Sequence, residues 1–380
     1  MKKPFSLLRK DGFQTLLASL MCILGGVLVG YIALLIINPE GASEAIVAIL
    51  KSYFRYPGKL QTKYLGQTLV RTVPLILCSL SVLFAYKVGM FNIGVAGQYV
   101  AGACGCLYAA LAWNLPWYVC LLIGMAAAAL LGAISGLLKT FCNVNVVISG
   151  IMLNWITLYL TNLVLGTVKN PQSPYTKSLL GNNNSALLPD IGLREFLGNE
   201  KSVTIAIPLA VIVAILVWVI LNKTKFGYEL KATGHNYHAA KYAGMKQNRN
   251  IVLSMVISGA LAGLGAGLLY LTGIEEWETT VSSVPAMGFN GIAVAFLGGL
   301  SPIGSILSAF FIQYITFGGG NVDLQVYCAQ ISSLISSLII YLCAFVGFFK
   351  FFISDRIRRN DEKKEKALQA KETEEGGEDK

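Results

Sequence analysis

The chain has 380 residues, of which 55% are hydrophobic and only 13% charged. Its apolar residues gather in runs long enough to cross a hydrocarbon core of about 30 Å, which excludes a soluble globular or disordered chain and predicts an all-α integral membrane protein. The formal charge of +10 is dispersed among loops and tail and forms no single patch, so it reports topology and argues against nucleic acid as a partner.

In chain order, Lys2, Lys3, Arg9 and Lys10 precede an apolar stretch from about Leu16 to Ile37. That stretch is too long for a signal peptide and has no convincing cleavage site, so it reads as an uncleaved first span with its basic flank inside. Further spans fall near 67–86, 97–113, 117–139, 147–167, 203–222, 251–273, 289–300, 303–318 and 325–349. This gives about ten transmembrane helices with cytoplasmic N- and C-termini, in a membrane domain over 1–349 and a charged cytoplasmic tail over 350–380. Gly, Pro and short apolar pieces at 289–318 point to broken or short helices. The positive-inside rule agrees: Lys87, Lys139, the loop 223–250 and Lys350–Arg359 fall inside, and Glu275, Glu276 and Glu278 fall outside. Lys51, Arg55, Lys59 and Lys63, placed in an outer loop, are the exception.

Ser43–Phe54 reads as a short helix on the outer surface, with Ser43 as its cap. The outer segment 168–202, with Pro171, Pro174 and the Asn-rich Gly181–Asn184, reads as an irregular loop, unusually long for a connector. Arg356–Lys380 mixes Lys and Glu without an apolar face and reads as a solvated tail.

Within the spans, GMFNIGVAGQ at Gly89–Gln98 sets Asn92, Gln98 and three glycines where an apolar helix begins. Two readings fit: a helix broken at membrane depth beside a water-lined cavity, or a tight inner turn followed by a capped helix. MGFNGIAVA at Met287–Ala295 repeats its order, and paired broken segments of this kind point to a central site. Gly124, Ala128, Gly132 and Gly136 recur every fourth residue, as do Gly259, Gly263 and Gly267, which predicts close helix packing.

The loop Lys223–Asn250 is polar and lies between two long apolar runs. Asn236 caps a helix over Tyr237–Ala243 that stops at Gly244. Ala239, Ala240 and Ala243 share one face, and His238, Lys241, Tyr242 and Met245 share the other. So short a helix needs a surface, either this chain's own inner face or a partner, unless the loop is only a solvated connector.

The spans contain no Asp or Glu, which weighs against a proton- or sodium-coupled carrier. No GxxxxGK[ST] phosphate loop exists, since Gly58-Lys59 is followed by Leu60. His235 and His238 have no Cys or carboxylate pattern to complete a metal site, so none is expected. The eight cysteines show no CxxC pair and read as buried packing groups. The chain is therefore expected to be a non-catalytic bundle with no cofactor and no energy source of its own.

GMFNIGVAGQYVAGA, VVISGIMLN, FGYELKATGHNYHAAKYAG and GFNGIAVAFLGGLSPIG occur in that order. With them the chain resembles the permease subunits of bacterial ABC importers in the ribose and branched-chain amino-acid transporter superfamily, most of all their nucleoside (guanosine-type) uptake branch. The resemblance runs from about the second span to the last. It implies a multi-pass permease of the bacterial plasma membrane that works by alternating access. Its partners would be a cytosolic ABC ATPase, which holds ATP and Mg, a second and different permease, and an extracytoplasmic substrate-binding lipoprotein. The 223–250 loop would hold the coupling helix, with Asn236, Ala239, Ala240, Lys241, Ala243 and Gly244 at the ATPase. Val146 stands where relatives often have Glu, and Tyr237 where they commonly have Pro, so no polar role transfers to position 146. For substrate contacts the residues to expect are Phe91, Asn92, Gln98, Asn154 and Asn290, with Trp155 and Phe289 as aromatic neighbours; helix capping or packing accounts for each equally well. Glu275, Glu276 and Glu278 would dock the binding protein. A simple-sugar ABC permease is the alternative within the class, and a channel or secondary carrier the alternative outside it.

Overall fold

The computed structural model describes residues 11–322, Tyr327, residues 334–335, 337–338 and 341–342, and residues 345–359. The basic residues Lys2, Lys3, Arg9 and Lys10, most of the expected span 325–349 and the tail beyond 359 lie outside the described residues. Those described form helices and connectors, with isolated bridges at Lys169–Thr176 and Tyr175–Glu278 as the only β pairing among them.

Helix α1 (Asp11–Ile37) is followed by α2 (Ala42–Lys51) and a 3-10 turn at Ser52–Arg55. Ser43 is not the cap of α2: the helix starts one residue earlier, and the Gly41 carbonyl accepts its first bond from Ala45 at 3.0 Å. Helix α3 (Lys59–Tyr86) begins earlier than expected, because Lys59 and Lys63 are helical and not part of an outer loop. From Thr72 to Ala85 every residue of α3 is buried, as an all-round apolar helix at the centre of a bundle must be. After it come α4 (Val95–Leu111), α5 (Trp117–Cys142) and α6 (Val146–Gly166). Asn145 caps α6, its Oδ1 accepting from the Val147 amide at 2.9 Å.

The segment 168–202 carries only single turns, among them α7 (Leu193–Phe196). It is nonetheless pinned at many points. The Thr176 amide donates to the Trp277 carbonyl at 2.8 Å and the Leu188 amide to Leu271 at 3.0 Å. Asn183 Nδ2 donates to the carbonyls of Ala110 (2.8 Å) and Leu115 (3.1 Å). Then come α8 (Ala206–Lys223), α9 (Lys225–His235), α10 (Tyr237–Tyr242) and α11 (Gln247–Tyr270). The bundle closes with α12 (Ala286–Leu297) and α13 (Pro302–Gly319), and a further helical stretch covers 346–359.

Among the described residues seven helices (α1, α3, α5, α6, α8, α11 and α13) are long and apolar enough to cross a membrane. Helices α4 and α12, of 17 and 12 residues, are apolar but shorter. The expected pair of short pieces at 289–318 thus resolves into one short helix and one of full length. The turn between them brings the Gly298 and Gly304 backbones together and sets Leu300 at φ +52°.

The glycine stripes make close crossings. Gly259 of α11 lies on the Ala128 backbone of α5, and Gly132 of α5 lies on Met255. A Cβ at Gly263 would stand 2.7 Å from the Gly124 carbonyl oxygen. Without a hydrophobic drive between helices in lipid, such close van der Waals contact is what holds them.

Candidate functional site

The first expected site is built where α3 gives way to α4. The chain leaves α3 at Tyr86, turns at Gly89 (φ +81°), runs through Met90–Asn92 without regular structure and enters α4 at Val95. Gly94, at the N-cap, offers no side chain, so the first-turn amides of α4 need a partner from elsewhere. Asn154 of α6 supplies it. Its Oδ1 accepts from the Gly97 amide at 2.7 Å, and its Nδ2 donates to the Ile93 carbonyl at 3.1 Å. The approach needs glycine: a Cβ at Gly97 would stand 2.7 Å from that Oδ1, and one at Gly150 would stand 2.8 Å from the Gly94 nitrogen.

Asn92 and Gln98 are buried beside this joint. Asn92 Nδ2 donates to Gln98 Oε1 at 2.9 Å and to Ser258 Oγ at 2.8 Å, and Ser258 in turn donates to the Ser81 carbonyl at 2.8 Å. Among the described residues, Asn92 Oδ1 and Gln98 Nε2 find no partner. Phe91 is half-buried, its ring 6.2 Å from that of Phe296. The second motif meets the first here: Gly288 of α12 lies on the Ala96 backbone and Gly291 on Cys78.

The seven expected contact residues therefore divide. Asn92, Gln98 and Asn154 are interior and hold the broken segment together. Trp155 and Phe289 are 42% and 40% exposed, Trp155 stacking on Tyr159, and Asn290 is half-exposed with no side-chain hydrogen bond among the described residues. Ser81 and Ser258 complete the polar cluster and were not expected. Their signal was Ser254 and Ser258 at helical spacing within the glycine-rich α11. Where α5 ends and α6 begins a cavity of about 480 Å³ opens between Phe91, Lys139, Asn143 and Asn145.

The loop 223–250 contains two helices, where one was expected. Asn236 caps α10 as anticipated, its Oδ1 accepting from the Ala239 amide at 2.9 Å, and Gly244 beyond the helix has φ +77°. The alanine face is not uniform. Ala240 is buried within this chain, whereas Ala239, Lys241, Tyr242, Ala243 and Gly244 are exposed. Tyr237 Oη donates to Asn248 Oδ1 at 2.9 Å. Helix α9 seats α10 on the bundle: Leu230 is buried, and Gly234 lies on the backbone of Lys87–Gly89. Thr233 Oγ1 accepts from Asn250 Nδ2 at 3.1 Å. Burial, and then the nearby Lys231 cation, hold the Lys87 ammonium below the usual lysine range.

On the opposite end, the three glutamates differ. Glu275 faces Arg71 at 3.8 Å, Glu278 accepts from Thr280 at 3.0 Å, and Glu276 alone of the three is exposed. Between them Trp277 is buried, its Nε1 donating to Asn162 at 2.9 Å.

The family profile described as "branched-chain amino acid transport system / permease component" matches residues 64–344. The chain is 36% identical to the guanosine ABC transporter permease NupP of Bacillus subtilis, over 69% of its own length and 75% of that protein. It is 32% identical to the nucleoside ABC transporter permease NupB of Lactococcus lactis, over 87% of its length and 91% of that protein. It is 28% identical to the glucose ABC transporter permease TsgB13 of Haloferax volcanii, over 87% of each chain. No solved structure matches it.

Proposed function

From the premise that this chain belongs to the branched-chain amino acid transport permease family, a multi-pass membrane protein, we propose that it is a pore subunit of an ABC importer for nucleosides. The observation that carries the reading is its likeness to the guanosine and nucleoside permeases over most of its length. The membrane domain spans 1–349, with both termini and the 223–250 loop in the cytoplasm and 168–202 outside. The dispersed basic residues of the inner segments support this orientation.

In this reading α10 is the coupling helix. Its exposed residues Ala239, Lys241, Tyr242, Ala243 and Gly244 meet a cytosolic ATPase, while buried Ala240 and the Asn236 cap fix its angle. ATP and Mg are held by that ATPase, and the chain itself hydrolyses nothing. Movement of α9 reaches the α3–α4 joint directly, because Gly234 lies on the backbone of Lys87–Gly89. There Asn92 and Gln98 each keep one polar atom for a solute once the joint opens. A second, different permease completes the pore. An extracytoplasmic binding lipoprotein docks near Glu276, with Glu275 and Glu278 partly engaged inside the chain.

The test is uptake by the purified assembly in proteoliposomes. ATP-dependent guanosine entry, displaced by other nucleosides and not by pentoses or glucose, is expected. Displacement by free sugars instead would establish the second reading, a simple-sugar permease, which the similarity to the glucose permease supports. ATP-independent flux would move the chain to the channel or carrier class. Ala239→Arg is expected to cost the complex its ATPase on co-purification while leaving the chain folded.

A further inference from the structure

Between α11 and α12 the chain goes down into the bundle without regular structure. Its upper end is fixed by Asn162 of α6, whose Nδ2 donates to the Val281 carbonyl at 2.8 Å. Its lower end is fixed by Gly288 on Ala96, and the neighbouring Gly97 is bound by Asn154, also of α6. Asn154 and Asn162 are eight residues apart on one helix, about 12 Å at 1.5 Å per residue. The segment 282–287 therefore falls about 12 Å, from about 6 Å below the outer end of α6 to about its middle.

Ser282 and Ser283 are exposed on this descent. The amides of Ser282, Ser283 and Val284 make no hydrogen bond among the described residues. Hydrocarbon does not tolerate such backbone, so this surface faces either water or protein. No charged side chain lies in 279–290, and two exposed aromatic rings stand where the descent ends: Phe289 follows Gly288, and Trp155 follows Asn154.

We propose that Ser282 and Ser283, with the bare amides beside them, line the outer half of the solute path. They would bind the hydroxyl groups of an uncharged solute whose planar part lies against Phe289 and Trp155. A nucleoside is such a solute, and in naming it the inference rests on the function proposed above; the water-filled path does not.

The experiment uses the assembled transporter carrying Ser282→Cys or Ser283→Cys, a nearly isosteric change. A small charged methanethiosulfonate is added, and labelling is read by mass against the unsubstituted chain with its eight native cysteines. Ile212→Cys on the exposed apolar face of α8 is the lipid-facing control. Labelling at 282 and 283 at least tenfold faster than at 212, slowed severalfold by saturating guanosine, is the expected result. Rates no faster than at 212 would overturn the proposal, because the segment would then be sealed by protein. Fast labelling that guanosine leaves unchanged, in a preparation that takes up guanosine, would overturn the solute contacts. If that preparation takes up none, the importer reading fails by itself and the labelling rates still decide whether the path is wet. As a second readout, Ser282→Ala with Ser283→Ala is expected to raise the KM for uptake severalfold with little change in complex yield; an unchanged KM overturns the contacts.

Discussion

Asn154 shows what a single amide does at membrane depth. It holds both sides of an interrupted backbone, the Gly97 amide and the Ile93 carbonyl, and replacing it strands two buried groups. Asn154→Ala is expected to destabilise the chain by about 1–3 kcal/mol, read as a lower unfolding midpoint in detergent. Asn154→Asp is expected to cost at least as much, because an ionised carboxylate would be buried against the Ile93 carbonyl oxygen. The sequence made Asn92, Gln98 and Asn154 conspicuous because amides are rare in apolar runs. It did not reveal whom they bond, since Gly97 and Asn154 are 57 residues apart and Asn92 and Ser258 are 166 apart. Periodicity likewise put Ala239, Ala240 and Ala243 on one face. That Ala240 turns into this chain depends on α9, which lies outside that pattern.

The elements were legible in proportion to their apolarity. The long helices and glycine stripes follow from run length and fourfold spacing, and the stripes are the α5–α11 contact that spacing predicts. Helix α9 was not legible. It is short and polar, and it contains Gly227 and Gly234, which lower helix propensity by about 1 kcal/mol each. Those glycines are there for contact, with Gly227 on the backbone of Ile220–Leu221 and Gly234 on that of Lys87–Gly89. The same contrast gives a paired prediction. Gly102 of α4 lies against the Gly263 backbone of α11, so Gly102→Ala should cost about 1–3 kcal/mol through overpacking. Gly166→Ala, where nothing lies within 4 Å, should leave the unfolding midpoint unchanged or slightly higher. Equal effects would mean that the α4–α11 crossing adjusts more freely than its backbone contacts imply.

At the scale of the molecule, a backbone contact joins the loop 223–250 to the joint between α3 and α4. Gly234→Val drives a side chain into the Lys87–Gly89 turn. In the assembled complex it is expected to leave ATP hydrolysis measurable while uptake falls at least tenfold; proportionate loss of both would make the contact merely structural. Of the ten expected spans, seven are helices long enough to cross among the described residues, α4 and α12 are shorter, and the stretch expected at 325–349 lies mostly outside the described residues. The segment 168–202 carries a different lesson, about order of synthesis. Thr176 bonds Trp277, made 101 residues later, and Leu188 bonds Leu271. A ribosome therefore delivers this stretch before two of its anchors exist, although Ala110 and Leu115, which hold Asn183, are already made. Its pinning is complete only once Leu271 and Trp277 have followed, so full resistance to cleavage is expected to mark a chain whose later helices have arrived.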